Sequence, residues 1–148
     1  MTDLPVTARF ALPLLVQAQA QKEITHNEAL VLIDALLQAS VEDGPLAAPP
    51  AAPDAGQCWI VGAPASGAWA GREAALAVWT AGGWRFAEPR PGMRVVRSRD
   101  GAWLRFADGA WVEPGAVAQP VGGATVDSEA RAAIEALMTA LKAHGMLI

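Results

Sequence analysis

The chain of 148 residues has no tyrosine, one cysteine and two histidines. A single cysteine, Cys58, excludes an internal disulfide and a thiolate metal cluster, and the apolar residues after it predict a buried, inert thiol. His26 and His144 lie far apart in the sequence, both at helix-forming positions. No Ser-His-Asp arrangement, His-Glu-x-x-His motif, phosphate-binding glycine loop or Cys/His cluster is present. We therefore expect no enzyme activity, no cofactor and no bound metal.

Charge is scarce and unevenly distributed. The net charge of −4 argues against a nucleic-acid-binding protein, which would normally be basic. Six arginines fall within residues 85–105, whereas residues 1–56 are mainly acidic. The simpler interpretation of the arginines is a solvated strand face. The other is a basic patch that pairs with the acidic part of a neighbouring subunit or with another anionic partner.

Long hydrophobic runs are also missing. No apolar stretch is long enough to span a bilayer. The N-terminus lacks the basic start and apolar run of a signal peptide. We therefore expect synthesis in the cytoplasm and no membrane insertion.

The chain does have six tryptophans, and four of them follow a glycine by two residues. Glycine allows a reversal at positive φ, and a large aromatic then starts the next strand. This pattern predicts a small antiparallel meander. The four segments are Gly67-Ala68-Trp69, Gly82-Gly83-Trp84, Gly101-Ala102-Trp103 and Gly109-Ala110-Trp111. We expect strands near residues 57–63, 75–80, 84–88, 93–98, 102–107 and 110–113, with Asp100-Gly101 and Asp108-Gly109 as two-residue hairpin turns.

Residues 25–40 are predicted to form a helix. Thr25 and Glu28 have the spacing of a capping box, in which Thr25 is the N-cap. The residues that follow are apolar on almost every side, so a second surface of this helix needs cover beyond what a short sheet provides. We expect that identical copies share it. The interface residues would be Leu30, Ile33, Leu36 and Leu37.

A second, amphipathic helix is predicted over residues 127–144, with Asp127 as N-cap and Gly145 just past its end. Its apolar residues follow a heptad pattern, with Ile134 and Leu141 at a and Leu137 at d. The stripe suits docking on the sheet and assembly between subunits equally well.

The predicted fold class is α+β: a Trp-rich antiparallel meander flanked by an N-terminal assembly helix and a C-terminal helix. Residues 1–24 are expected to be mostly extended, and within them the alternation over residues 16–21 favours a strand over a Gln/Ala helix. The predicted divisions are 1–43 (extended segment and assembly helix), 44–56 (a Pro/Ala-rich spacer), 57–113 (meander), 114–126 (linker) and 127–145 (C-terminal helix).

The tryptophans divide by strand face. Trp84 shares a face with Phe86, which indicates core, whereas Trp103 shares one with Arg105. Trp69 lies among small residues that offer little cover. Exposed rings beside arginine could stack on a sugar and hold an acidic group, and packing against another subunit or the linker is the favoured alternative. The candidate glycan contacts are Trp69, Trp103, Trp111 and Arg105.

Several stretches resemble the DUF2793 family, a phage-associated family of unknown function. The resemblance covers about residues 8–112. It rests on Leu12-Pro13-Leu14-Leu15, the run from Gln19 to Ala29, Trp59-Ile60-Val61-Gly62, Gly67-Ala68-Trp69-Ala70-Gly71, Ala77-Val78-Trp79 and Gly82-Gly83-Trp84-Arg85-Phe86.

This resemblance implies a structural role in a virion. Members of the family are similar to tail-fibre, baseplate or head-spike components of phages and of gene transfer agents. We therefore expect a homo-oligomeric fibre or spike, or its base, made in the bacterial cytoplasm and located on the particle. A trimer is the first expectation and a pentamer the alternative. Other virion proteins and host surface polysaccharide are the expected partners. The second hypothesis is a carbohydrate-binding module.

Overall fold

The computed structural model describes residues 5–15, 22–119, 121–123 and 125–147. Over these residues the chain forms two helices, eight strands and one short 3-10 helix, which confirms the α+β class. The helices are α1 (Lys22–Leu36) and α2 (Ser128–Ala143), and the 3-10 helix spans Gly67–Trp69. The strands are β1 (Ser40–Val41), β2 (Asp43–Leu46), β3 (Cys58–Val61), β4 (Leu76–Thr80), β5 (Gly83–Ala87), β6 (Arg94–Arg97), β7 (Trp103–Ala107) and β8 (Ala110–Val112).

The six strands predicted from the tryptophan-rich region correspond to β3–β8. The turn between β7 and β8 is also as predicted: Asp108 and Gly109 have φ of 52° and 79°, the pair of positive angles that a type I′ hairpin needs. The Asp100-Gly101 turn is not a two-residue hairpin, however. The Arg97 amide donates to the Ala102 carbonyl at 2.9 Å, so four residues separate the paired positions.

The strands do not form one antiparallel meander. They form two four-stranded sheets on the same plan, in which a short early strand runs parallel to the first strand of a three-stranded antiparallel unit. We call β2-β3-β4-β5 the tryptophan sheet and β1-β6-β7-β8 the arginine sheet. The six predicted strands are divided between two sheets because β5 and β6 do not pair, and the early strand β1 pairs with β6 at that edge instead.

Strand β2 begins the stretch that was predicted to be a spacer. Its Leu46 carbonyl accepts from the Gly62 amide at 2.7 Å, and a Cβ on Gly44 would come within 2.7 Å of the Ile60 carbonyl oxygen. Glycine therefore lets β2 approach β3 closely. Farther along, the Gly56 amide donates to the Trp79 carbonyl at 2.9 Å. This segment lies along the tryptophan sheet and does not act as a free spacer.

The tryptophan sheet is covered on both faces. Alternate residues of β3 and β4 face one of two clusters, as the two-residue period of a strand requires. One cluster joins the two sheets and contains Val41, Cys58, Ile60, Leu76, Val78, Val95 and Leu104. The other lies on the opposite face and contains Trp59, Val61, Trp69 and Ala77, with Trp79, Trp84 and Phe86 packed against it.

Helix α1 begins before Thr25 and ends at Leu36, so Thr25 is not its N-cap and the helix is shifted toward the N-terminus. Its end is fixed from outside. The Arg9 guanidinium donates to the Asp34 and Ala35 carbonyls at 3.2 and 2.7 Å and to the Gln38 carbonyl at 3.2 Å. These bonds satisfy carbonyls that a helix C-terminus otherwise leaves open.

The N-terminal segment is not simply extended. Residues 8–10 form a turn, and Val6 and Pro13 are bridged across it. The buried carboxylate of Asp34 accepts from the Arg9 and Phe10 amides at 2.9 and 2.7 Å and so holds this turn on α1. The alternating residues 16–21 lie outside the described residues.

The termini of α2 are as predicted. Asp127 is the N-cap, with its carboxylate accepting from the Ala130 amide at 2.9 Å. His144 is the C-cap, and Gly145 follows it with φ of 67°, a conformation that glycine adopts easily.

Candidate ligand groove and subunit interface

A groove of about 590 Å³ lies on the outer face of the arginine sheet, against the C-terminal tail (residues 144–147). Its volume is within the range of small-ligand sites. The lining includes Arg94, Trp103, Arg105, Glu113, His144 and Met146.

Strand register brings the cationic groups of the groove together. Arg94 of β6 lies directly opposite Arg105 of β7, which in turn lies opposite Val112 of β8. Trp103 is two residues from Arg105 and therefore shares its face. Both arginines are exposed, and neither has a hydrogen-bonding or ion-pair partner within the described part of the chain. The groove thus contains two uncompensated guanidinium groups beside an aromatic ring.

The C-terminal tail forms one wall of the groove. The Trp103 amide donates to the Gly145 carbonyl at 3.0 Å. Any Cβ on Gly145 would overlap the Gly101 carbonyl oxygen and lie 3.0 Å from Cδ1 of the Trp103 ring. The tail therefore seats against one edge of the ring, while 45% of Trp103 stays exposed.

A buried arginine supports the groove from below. Arg97 forms ion pairs with Asp100, at 2.7 Å, and with Glu113, and donates to the Gly44 carbonyl at 3.2 Å. These contacts link β6 to β2 and to the residue after β8. Hydrogen bonds from Arg97 hold the pKa of Asp100 at about 2, below its ordinary 3.8. The pKa of Arg97 is raised by its hydrogen bonds to Asp100 and then Glu113. Glu113, although it lines the groove, already has a cationic partner.

The structure places the predicted glycan contacts differently. Trp103 and Arg105 do lie together and exposed. Trp69 does not, because the 3-10 helix turns its ring inward onto Trp84, with ring centres 5.1 Å apart, and its exposure is 0%. Trp111 is half-buried because it lies opposite Phe106, a core residue, and its indole donates to the Ala74 carbonyl at 2.8 Å.

Among the groove residues that the sequence analysis does not predict are Arg94 and His144. Arg94 was noted only as one of a run of arginines, and the signal that would have found it is its position opposite Arg105 across the β6–β7 hairpin. His144 was assigned to a helix end, which the structure confirms, but its place in the groove depends on how the tail docks.

One face of α1 remains uncovered. Asp34 and Ala35 are buried against the N-terminal turn and the core, whereas Ile33, Leu36 and Leu37 are 48%, 39% and 46% exposed. Leu30, one turn earlier, is half-buried. Spacings of three and four residues place these four side chains on one side of the helix. We call them the α1 face.

Helix α2 has a similar uncovered stripe. Ile134 and Leu137 are exposed and Leu141 is half-buried, whereas Met138 is buried. Docking is evident at the end of the helix, through Gly145. Of the predicted seam, Ile134 and Leu137 have 42% and 59% of their surface exposed in the protomer.

Three further residues that could be considered for chemistry, Cys58, Asp100 and Asp108, occupy structural positions. Cys58 is buried, as predicted, and burial raises the pKa of its thiol to about 12, which disfavours the reactive thiolate. Asp100 forms an ion pair with Arg97, and Asp108 lies in the turn between β7 and β8. No three potential metal ligands among the described residues are grouped to hold an ion. Neither helix, over the residues described, has the length and apolarity that a membrane crossing requires.

Comparison with family models identifies a match for this chain. Residues 26–112, more than half of the chain, match the family model described as "Protein of unknown function (DUF2793)". A search of curated proteins gives no match. The matched region runs from the second turn of α1 through β8 and so includes the α1 face and both sheets. The chain therefore belongs to the DUF2793 family.

Proposed function

We propose that this chain is a structural protein of a phage or gene-transfer-agent particle, in which identical copies assemble through the α1 face. The single observation that carries the proposal is the exposure of Ile33, Leu36 and Leu37 in the isolated protomer. The resemblance to phage-associated proteins supplies the setting. The role is one of assembly, and it requires no catalysis.

The energetics favour covering this face. Complete burial of one such aliphatic side chain is worth about 1.5–3 kcal/mol. Because the three are roughly half exposed, contact between copies would gain about 2–4 kcal/mol per subunit from them. The stripe of Ile134 and Leu137 on α2 adds to the area available for the interface. A closed ring of identical copies would cover all the equivalent faces, and we expect a trimer first and a pentamer as the alternative.

Light scattering on the purified protein tests the assembly. At micromolar concentration we expect the mass of a trimer, or alternatively of a pentamer, of the 15.4 kDa chain. The double variant Ile33→Glu/Leu37→Glu should lower that mass to the monomer's. Val121→Glu, at an isolated exposed valine, is the matched control and should leave the mass unchanged. A wild-type monomer, or a double variant that stays oligomeric, would contradict the proposal.

The particle setting needs its own test. Particles purified from a producing bacterium should contain the chain in a constant ratio to the capsid protein, and antibodies against it should mark one defined position on them by electron microscopy. Contact with other virion proteins would then follow from cross-linking of intact particles. A chain that stays in the particle-free cytoplasmic fraction would refute this setting while leaving the assembly question to light scattering.

A second candidate function is carbohydrate binding, which the exposed ring of Trp103 beside Arg105 favours. A host surface polysaccharide would be the ligand, so this role is compatible with a particle component that touches its host. Titration of tryptophan fluorescence with that polysaccharide should give a saturable change in the wild type and none in Trp103→Ala. Equal responses from both proteins would exclude the groove as the binding site.

A further inference from the structure

We infer that the groove binds a carboxylate-bearing saccharide, with Arg94 and Arg105 holding the carboxylate and Trp103 stacking on the sugar ring. This inference rests on the second candidate function and names the class of sugar. It also replaces two of the expected contacts, Trp69 and Trp111, with Arg94.

The arginine pair carries the argument. Like charges directly opposite each other on neighbouring strands destabilise a sheet. Neither guanidinium has an anionic partner among the described residues. Four other arginines of the sheet region have carboxylate partners: Arg72 with Glu88, Arg85 with Glu28, Arg97 with Asp100 and Glu113, and Arg99 with Asp43. Arg90, between β5 and β6, also has no such partner among the described residues, but it lies outside the strands and has no arginine opposite it. An anion between Arg94 and Arg105 would remove the repulsion and accept charge-assisted hydrogen bonds from both.

The remaining surface favours a sugar over an acidic peptide. The Gly145 contact fixes one edge of the Trp103 ring and leaves nearly half of the side chain exposed beside the arginines. Such a ring combines an apolar surface with a polar N–H, which suits a sugar's mixed character. The groove volume of about 590 Å³ is that of a small-ligand site. The remaining carboxylate of the lining, Glu113, is bound to Arg97 and so opposes an incoming anion less than a free carboxylate would.

Calorimetric titration with four probes tests the inference. The probes are a galacturonate oligosaccharide, a maltooligosaccharide of equal length as the neutral counterpart, polyglutamate and inorganic phosphate. We expect the galacturonate to bind roughly tenfold or more tightly than the other three. Arg94→Gln, Arg105→Gln and Trp103→Ala should each weaken galacturonate binding by roughly tenfold or more. Arg90→Gln removes the same charge from an exposed position outside the groove lining and should bind like the wild type.

Thermal unfolding of the variants separates a binding role from a structural one. Arg94→Gln and Arg105→Gln should unfold at the wild-type temperature or slightly above it, since each removes a repulsion. A clear drop would mean that the arginines hold the sheet together and would overturn the inference. Failure to bind galacturonate would also overturn it.

The other outcomes identify which assumption fails. Equal binding of the maltooligosaccharide would reject the acidic class but leave carbohydrate binding intact. Equal binding of polyglutamate would reject the sugar and point to an acidic protein segment, and equal binding of phosphate would reduce the groove to a general anion site. None of these results bears on the assembly proposal, which light scattering decides.

Discussion

The two sheets share a plan and differ in what covers them. Both pair a short early strand with a three-stranded antiparallel unit, and both contain tryptophans that follow turn glycines. The tryptophan sheet packs Trp59 and Trp84 into a cluster on the face away from the main core. The arginine sheet leaves Trp103 exposed on the corresponding side. The same short sequence pattern therefore produces a core in one sheet and an open surface in the other.

The difference comes from segments outside the strands. Residues 44–56 and the 3-10 helix Gly67–Trp69 lie along the tryptophan sheet and complete its second cluster. On the outer face of the arginine sheet, the C-terminal tail contacts one edge of Trp103. Where cover is complete, tryptophan stabilises the fold. Where it is partial, the ring is available to a ligand.

The largest expected effect comes from removing a ring on the covered side. Trp69→Ala should lower the free energy of unfolding by about 3–5 kcal/mol, because the side chain is fully buried against Trp84. Trp103→Ala, the matched change on the open side, should cost no more than about 1 kcal/mol. Urea unfolding of both variants measures the difference.

Equal costs for the two variants would remove the distinction between the sheets. A small loss of unfolding free energy for Trp69→Ala would mean that the second cluster contributes little stability and that the 3-10 helix only lies on the surface. A large loss of unfolding free energy for Trp103→Ala would mean that the C-terminal tail and the Trp103 ring form a core of their own.

The next effect concerns the contact between the sheets. Arg97 reaches from β6 to the Gly44 carbonyl of β2 and is itself buried. Arg97→Met should cost about 1–3 kcal/mol, because that carbonyl loses its charged donor while the carboxylates of Asp100 and Glu113 can still turn to water. Arg99→Met breaks an exposed pair with Asp43 and should cost about 1 kcal/mol or less. Urea midpoints of the two variants that coincide would show that the sheets are not joined through Arg97.

Local patterns in the sequence predicted the local structure well. Turn glycines and apolar alternation predicted β3–β8, and the capping residues Asp127 and Gly145 bounded α2 correctly. Each of these features depends on neighbours within a few residues, which is the range over which turn and cap chemistry acts.

Long-range pairing was not predictable in the same way. Strand β2 has a glycine and a proline at its centre, so no local pattern indicates a strand, and only its contact with β3 makes it one. Burial of Trp69 likewise depends on Trp84 across the sheet. The groove follows the same rule. Trp103 and Arg105 share a strand, so the sequence predicts them together. Arg94 joins them because β6 pairs with β7, and His144 joins them because the C-terminal tail packs against Trp103.

A substitution that disrupts the contact between the C-terminal tail and Trp103 should have a smaller and more local effect on stability. Gly145→Ala introduces a Cβ that overlaps the Gly101 carbonyl oxygen, at a positive φ that alanine disfavours. We expect the tail to leave Trp103 at a cost of about 1–3 kcal/mol to that contact, with little change in global unfolding. The Trp103 emission should shift to longer wavelength as its ring becomes fully hydrated. Gly115→Ala, where a Cβ meets nothing within 4 Å, is the control and should leave the emission unchanged.

The smallest expected effect is a pH dependence confined to the arginine sheet. Because Arg97 holds the pKa of Asp100 at about 2, below the 3.8 of the unfolded chain, this carboxylate contributes stability that is complete above pH 3.8 and lost as the pH falls toward 2. The difference in unfolding free energy between the wild type and Asp100→Asn should therefore be constant above about pH 5 and shrink below about pH 4. Asp108→Asn removes a turn carboxylate that has no ion pair among the described residues and is the matched change of side chain. Urea unfolding from about pH 6 to about pH 2 measures both, and a gap for Asp100→Asn that stays constant through this range would show that Arg97 does not stabilise the charged carboxylate.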